Sequence, residues 1–356
     1  MTILTFVGVV LFAIGWVALP LVPALREFFQ PTDVEPLSMV SRDNADISRF
    51  ARHFREYLDG HLARLPGEVA PDGVLRLPDG AEVVRVSQPP DMMPVRSLPA
   101  GSGHRIVLLD GAAELDGGEM FRLEVRAMEE FAGGSGATYR ALLGERSVSL
   151  GIRSRVMRWV HSVGALTVGD QSHLYGRSSS DQQIRLGRGV GFDRLGAPVI
   201  AVGSGAAAPM PSLPGQMLPF EVPEKKARRL GDILRVQGDL TIPAGTLVEG
   251  NLVVAGALRL EAATRVRGSV KAHGRIVLAS GVVIEGSLVS REEIEIGDHG
   301  WIRGPVISEE ALHVGPQTTI GRLDLPSTAS GRTVSLADGA AVCGQVVTQE
   351  GGQTLE

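Results

Sequence analysis

The amino-acid sequence predicts an all-β protein: a triangular β-helix (β-solenoid) with 18-residue coils, in two stacks, plus one N-terminal transmembrane helix. Three observations carry this. First, Gly250 to Gly321 repeats every 18 residues, with Gly250, Gly268, Gly286 and Gly304 opening the units GNLVVA, GSVKAH, GSLVSR and GPVISE. Second, each unit divides into three hexads whose third and fifth residues are apolar, the period of two of a short half-buried strand. Third, a stretch of 23 residues from Ile3 to Leu25 carries no charged side chain.

Stacked in columns, four positions are aliphatic in every unit: Leu252/Val270/Leu288/Val306, Leu258/Ile276/Ile294/Leu312, Leu260/Leu278/Ile296/Val314 and Val266/Ile284/Ile302/Ile320. Two further inward columns are smaller and mixed, Val254/Ala272/Ser290/Ser308 and Thr264/Val282/Gly300/Thr318. Fixed-period self-similarity marks a solenoid. A helical repeat would need apolar residues at three-to-four spacing, and no unit offers that. Glycines and small polar residues cluster at the hexad junctions, where the backbone turns a corner.

The chain has 356 residues, a formal net charge of −5, 45 glycines and 4% aromatic residues, a balance that suits thin coils with little room for rings. Near-neutral charge gives no reason to expect nucleic acid as a partner. Cys343 is the only cysteine, so no intramolecular disulfide is possible. It reads as a small buried apolar residue.

Residues 1–29 are expected to be the membrane anchor. Twenty-three residues at about 1.5 Å each cover about 35 Å, against a hydrocarbon core of about 30 Å. Fourteen of them are Leu, Ile, Val or Phe, together about −6 kcal/mol of insertion free energy. A basic leader and an A-x-A site are missing, which argues for a retained anchor over a cleaved signal. No Lys or Arg precedes the span, whereas Arg26, Arg42 and Arg49 follow it. The positive-inside rule then puts the bulk of the chain in the cytoplasm, on a single-pass protein of the inner membrane.

Residues 30–100 read as a juxtamembrane linker with one amphipathic helix from about Asp46 to Leu62. Its stripe is Ile47, Phe50, Ala51, Phe54, Leu58 and Leu62, expected to pack on the solenoid rather than on lipid. The proline-rich stretch 66–100 reads as irregular or as a small hairpin. Residues 101–202 form a first, irregular stack, with columns Val148/Leu166/Ile184, Leu150/Val168/Leu186, Val156/Leu174/Phe192 and Tyr139/Met157/Tyr175. Residues 203–231 form a Pro-rich connector ending in the basic run Lys225, Lys226, Arg228, Arg229, read as a solvated entry to the next coil. Residues 232–350 are the regular stack. Pro326–Arg332 is expected to be a loop extruded from a corner, and GGQTLE at the end to be frayed.

No constellation in the sequence asks for catalysis. Histidines His273, His299 and His313 fall in scattered columns, no zinc spacing occurs, and the glycine clusters never sit between a strand and a helix. Asp298 and His299 beside Glu292, Glu293 and Glu295 read as a solvated acidic face. No cofactor, metal or catalytic residue is expected. Hexapeptide-repeat acyltransferases share the hexad and its Ile-Gly and Val-Gly pairs, here Ile296-Gly297, Val314-Gly315 and Ile320-Gly321, and are the enzymatic alternative. An exported surface solenoid is a third reading.

At G-x-L/V-x-x-x-G-x-I/L-x-L repeated four times, residues 232–348 resemble the bactofilin family of polymer-forming bacterial cytoskeletal proteins. The resemblance implies a right-handed triangular β-helix that polymerises end to end without nucleotide and scaffolds membrane-associated or envelope proteins. The span and the first stack depart from that family's compact pattern and favour a membrane-tethered relative. Expected partners are a second copy through coil stacking, the lipid bilayer, and envelope or membrane proteins of unknown identity. A β-helix ends in unpaired backbone donors and acceptors, which independently favours stacking.

Overall fold

The computed structural model describes residues 46–63, 74–87, 93–211, 217–221 and 227–355, with Gly8 alone before them. Apart from Gly8, the expected span Ile3–Leu25 and residues 26–45 after it lie outside the described residues. Among those described, no helix is long and apolar enough to cross a membrane. The chain from Asp46 onward is one compact unit. Its body is a β-solenoid of about 13 turns.

The regular stack shows why a period of 18 works. Leu252, Val270, Leu288 and Val306 lie in parallel register on one face. Leu258, Ile276, Ile294 and Leu312 do so on the second, and Val266, Ile284, Ile302 and Ile320 on the third. All twelve are buried, as are Leu260 and Leu278 and, at 2% exposure, Ile296. The corner glycines answer a steric demand. A Cβ on Gly268 would stand 2.3 Å from the Gly250 carbonyl oxygen, and one on Gly304 2.8 Å from that of Gly286. The mixed columns hold hydroxyls that close the corners: Ser290 donates to the Gly274 carbonyl at 2.7 Å, Ser308 to Glu292 at 2.7 Å and Thr318 to Gly297 at 2.8 Å. Buried polar atoms are thereby paired with carbonyls that strands do not reach.

One corner of each coil adopts left-handed backbone. It falls on Gly245, Ala263, Gly281, His299, Gln317 and Gly339 in one stack and on Gly136, Arg153, Gln171 and Gly189 in the other. His299 therefore serves a turn.

The first stack begins earlier than residue 101. Glu82–Val86 already pairs in parallel with Ile106–Leu109, and Val74–Arg76 folds back on it as a hairpin. Its columns drift because corners differ by a residue from coil to coil. Val148, Leu166 and Ile184 stay in register, and Tyr139 pairs with Val156, not Met157. The expected Tyr139/Met157/Tyr175 column is thus replaced. Tyr139 is inside, stacked on Phe121 at 5.2 Å, while Met157 and Tyr175 face out.

The helix spans Arg49–Leu62 and lies against the side of this stack. Ala51 and Leu58 are buried, Phe54 packs on Trp159 with ring centroids 5.7 Å apart, and Phe50 stays half-exposed. Arg126, with its side chain 5% exposed, ties helix to strands through Asp59 at 2.5 Å and Glu145 at 2.8 Å.

Two expectations at the C-terminal end need correction. Residues 327–332 are strand: Ser327–Leu336 pairs with both Val306–Ser308 and Ala311–Val314. The excursion lies just before, at 321–325, where Arg322 and Leu325 bridge each other. Five inserted residues shift the register from Val306 to Ala329 and hide the strand from an 18-residue frame. Nor does the end fray. Ala341–Thr354 is one strand, and buried Thr354 donates to the Gly187 carbonyl at 2.7 Å while accepting from the Val190 N–H at 2.8 Å.

These last contacts join the two stacks. Strand Gly191–Val202, the final coil of the first, runs antiparallel to Ala341–Thr354, the final coil of the second, from Gly191↔Gln353 to Ala201↔Ala341. The pairing follows all three faces, and one apolar core continues from Val107 to Val346. The connector then returns along the third face of the regular stack. Ala208 N–H donates to Thr319 Oγ1 at 3.1 Å, and the Trp301 indole N–H to the Ala208 carbonyl at 3.2 Å. Arg265 reaches the Pro211 carbonyl at 3.4 Å, and Leu218–Pro219 pairs with Thr246–Val248. Residues 227–230, placed in the connector by the sequence, form an antiparallel strand on Ile233–Val236.

Candidate assembly site

The terminal coil of the regular stack is built from Ile233–Val236, Leu240–Ile242 and Thr246–Val248. Ala227–Leu230 covers the outer edge of the first strand and Leu218–Pro219 that of the third. Leu240–Ile242 pairs inward with Leu258–Leu260, and among the described residues nothing pairs with its outer edge. On the coil's other two faces Leu218, Leu230 and Ile233 are exposed by 72%, 50% and 39%, Leu218 beside the corner that follows Ile242 and the other two at the corner where the first strand begins. Phe220 and Ala227 plug the core from the same end. An open ladder on a coil that also exposes apolar side chains is a template for another chain.

The other end is different. Helix Arg49–Leu62 and the Val74–Val86 hairpin bury Leu58, Leu75, Leu77, Ile106 and Leu108 together on one face. The ends at which both stacks stop are consumed in the joint. Cys343 lies there, fully buried, and burial pushes its thiol up.

Chemistry-bearing side chains are dispersed or neutralised. His273 and His299 are exposed at separate corners, and His313 Nε2 lies 3.2 Å from Glu293. The acidic face is countered by Arg275, 2.7 Å from Glu295 and 3.6 Å from Glu293. No cluster of three metal-ligating side chains occurs among the described residues. One constellation was invisible in the sequence. His161 Nδ1 lies 2.9 Å from Ser179 Oγ, and His161 Nε2 lies 3.8 Å from Asp181. Ser179 is buried within a continuous ladder between His161 and Gly196. Ile47, beside the helix N-terminus, packs against Gly196. This trio links two neighbouring strands, with the Ser179 hydroxyl held against the imidazole.

The connector was also missed as a structural part. Its signal lies in an outward column, Arg265/Val283/Trp301/Thr319, whose members are all buried. A tryptophan and a valine at outward positions of a thin coil require a cover. Beside Trp301, Met210 and Leu323 line a cleft of about 470 Å³ between connector and excursion.

Comparison with known families, with characterised proteins and with solved structures finds no match to this chain.

Proposed function

We propose that the chain is a membrane-tethered structural scaffold that self-associates through the open terminal coil and organises envelope or membrane-associated proteins. The observation that carries this reading is the outer edge of Leu240–Ile242, unpaired among the described residues, on a coil that also exposes Leu218, Leu230 and Ile233. The internal joint supplies the geometry, since two coil ends there meet antiparallel and bury a continuous core. The bactofilin-like hexads support the polymeric side of the reading, and the Ile3–Leu25 span with its trailing arginines supports the tether and a cytoplasmic body.

The test compares the chain from Asp46 with a Thr241→Pro variant by light scattering and electron microscopy, without nucleotide. Proline at an edge removes a ladder donor. Concentration-dependent assemblies that vanish in the variant support the reading, and a strictly monomeric parent at high concentration sinks it. Orientation is checked with a cysteine placed at exposed Thr167, because native Cys343 is too buried to report. Labelling in intact cells by an impermeant reagent would refute a cytoplasmic body.

A further inference from the structure

One face of the first stack carries a patch that neither folding nor end-to-end association uses. Arg122, Arg153, Arg155 and Arg158 are exposed, and none has an ion-pair partner among the described residues. Arg122, Arg140 and Arg158 rise on successive coils, with Arg140 donating to the Arg122 carbonyl at 3.4 Å. Of these three, Arg140 alone has a carboxylate near it, Glu124 at 3.6 Å. Stacked like charges are unfavourable on a sheet, so this arrangement is retained against its own repulsion. Set among the arginines are Met120, Ile152, Met157 and Tyr175, exposed by 57%, 44%, 49% and 38%.

We propose that this face docks on an anionic lipid bilayer and lays the rod along the membrane. Guanidinium groups meet lipid phosphates, and the interleaved Met, Ile and Tyr side chains enter the headgroup boundary. Phe50, with Arg177 4.7 Å above its ring, extends the same mixture onto the helix. Nucleic acid fits less well: the one exposed aromatic ring among these strands, Tyr175, is already stacked on His173 at 3.9 Å. Residues 26–45 separate the uncharged span from the helix region and reach about 70 Å at full extension, enough for the rod to lie flat. The choice of a bilayer as occupant rests on the tethered reading.

The chain from Asp46 forms its own compact unit and lacks the span, so its vesicle binding reports the face alone. Flotation with phosphatidylglycerol-containing vesicles is expected to recover the protein at low salt, less at high salt, and not with phosphatidylcholine alone. The double variant Arg155→Glu/Arg158→Glu is expected to bind at least about twentyfold more weakly, with an unchanged melting curve. Equal binding by the variant, no binding to anionic vesicles, or binding to duplex DNA in place of vesicles would each overturn the proposal. Those outcomes leave the tether untouched, which membrane fractionation of the full chain tests separately.

Discussion

Leu195 and Val346, from different stacks, sit opposite each other across the antiparallel joint, and both are completely buried. The two halves of the chain therefore share one core. Leu195→Ala should cost about 2–5 kcal/mol, the range for a buried leucine whose site cannot collapse. Denaturant titration measures the loss. The rate of maleimide labelling at Cys343, buried close by with its thiol pushed up, should rise in parallel. Unchanged labelling would mean that the joint holds without this pair.

Two substitutions at corners should have opposite signs. Gly268→Ala forces a Cβ to within 2.3 Å of the Gly250 oxygen and should cost about 1–3 kcal/mol. Ala263 has φ +55°, so Ala263→Gly should gain up to about 1 kcal/mol by relieving left-handed strain. Thermal melts of the two variants decide it. The same sign for both would refute a steric origin for the glycine column.

Acid should destabilise the first stack through His161. Burial holds this imidazole below its ordinary value of 6.5, Arg55 acts in the same direction, and Asp181, Glu145 and Asp46 oppose them. The unfolded chain then takes up the proton first. Stability is complete above the ordinary value and declines as pH falls from there toward the depressed folded value. His161→Gln should flatten that decline in denaturation midpoints taken from about pH 8 to about pH 5. An equally steep decline in the variant would assign the effect to other groups.

Trp301→Phe keeps a ring under the connector but removes the 3.2 Å bond to the Ala208 carbonyl. The expected loss is about 1 kcal/mol, with faster limited proteolysis within residues 203–226 and an unchanged circular dichroism spectrum. Identical cleavage rates would show that the bond does not hold the connector.

Legibility in the sequence followed regularity. From Leu252 to Ile320 each coil repeats the last, and its inward residues could be read from spacing alone. In the first stack the Tyr139–Val156 step is a residue shorter than the Val156–Leu174 step, so a fixed period assigns Tyr139 to the wrong neighbours. The joint has no period at all, because antiparallel pairing of 191–202 with 341–354 matches residues whose separation changes at every step. The 321–325 excursion displaced Ser327–Leu336 by five residues at Ala329 and by four from Thr333 on, and made a strand look like a loop. Of the candidate site, Leu240 and Ile242 fit the hexad pattern, at the third and fifth places of a unit. Their missing outer partner was not, since it depends on where Leu218–Pro219 and Ala227–Leu230 fold back.

The antiparallel joint has one more consequence. Each stack starts at an extremity of the rod and runs inward until the two final coils meet. Both of its tips are therefore the beginning of a stack, yet they differ: one carries the open Leu240–Ile242 edge and the other the Val74–Val86 hairpin. Two copies meeting through Leu240–Ile242 would do so like to like, by a two-fold relation. Such a contact closes on itself, so association through this tip alone gives a dimer whose hairpin-bearing tips face outward.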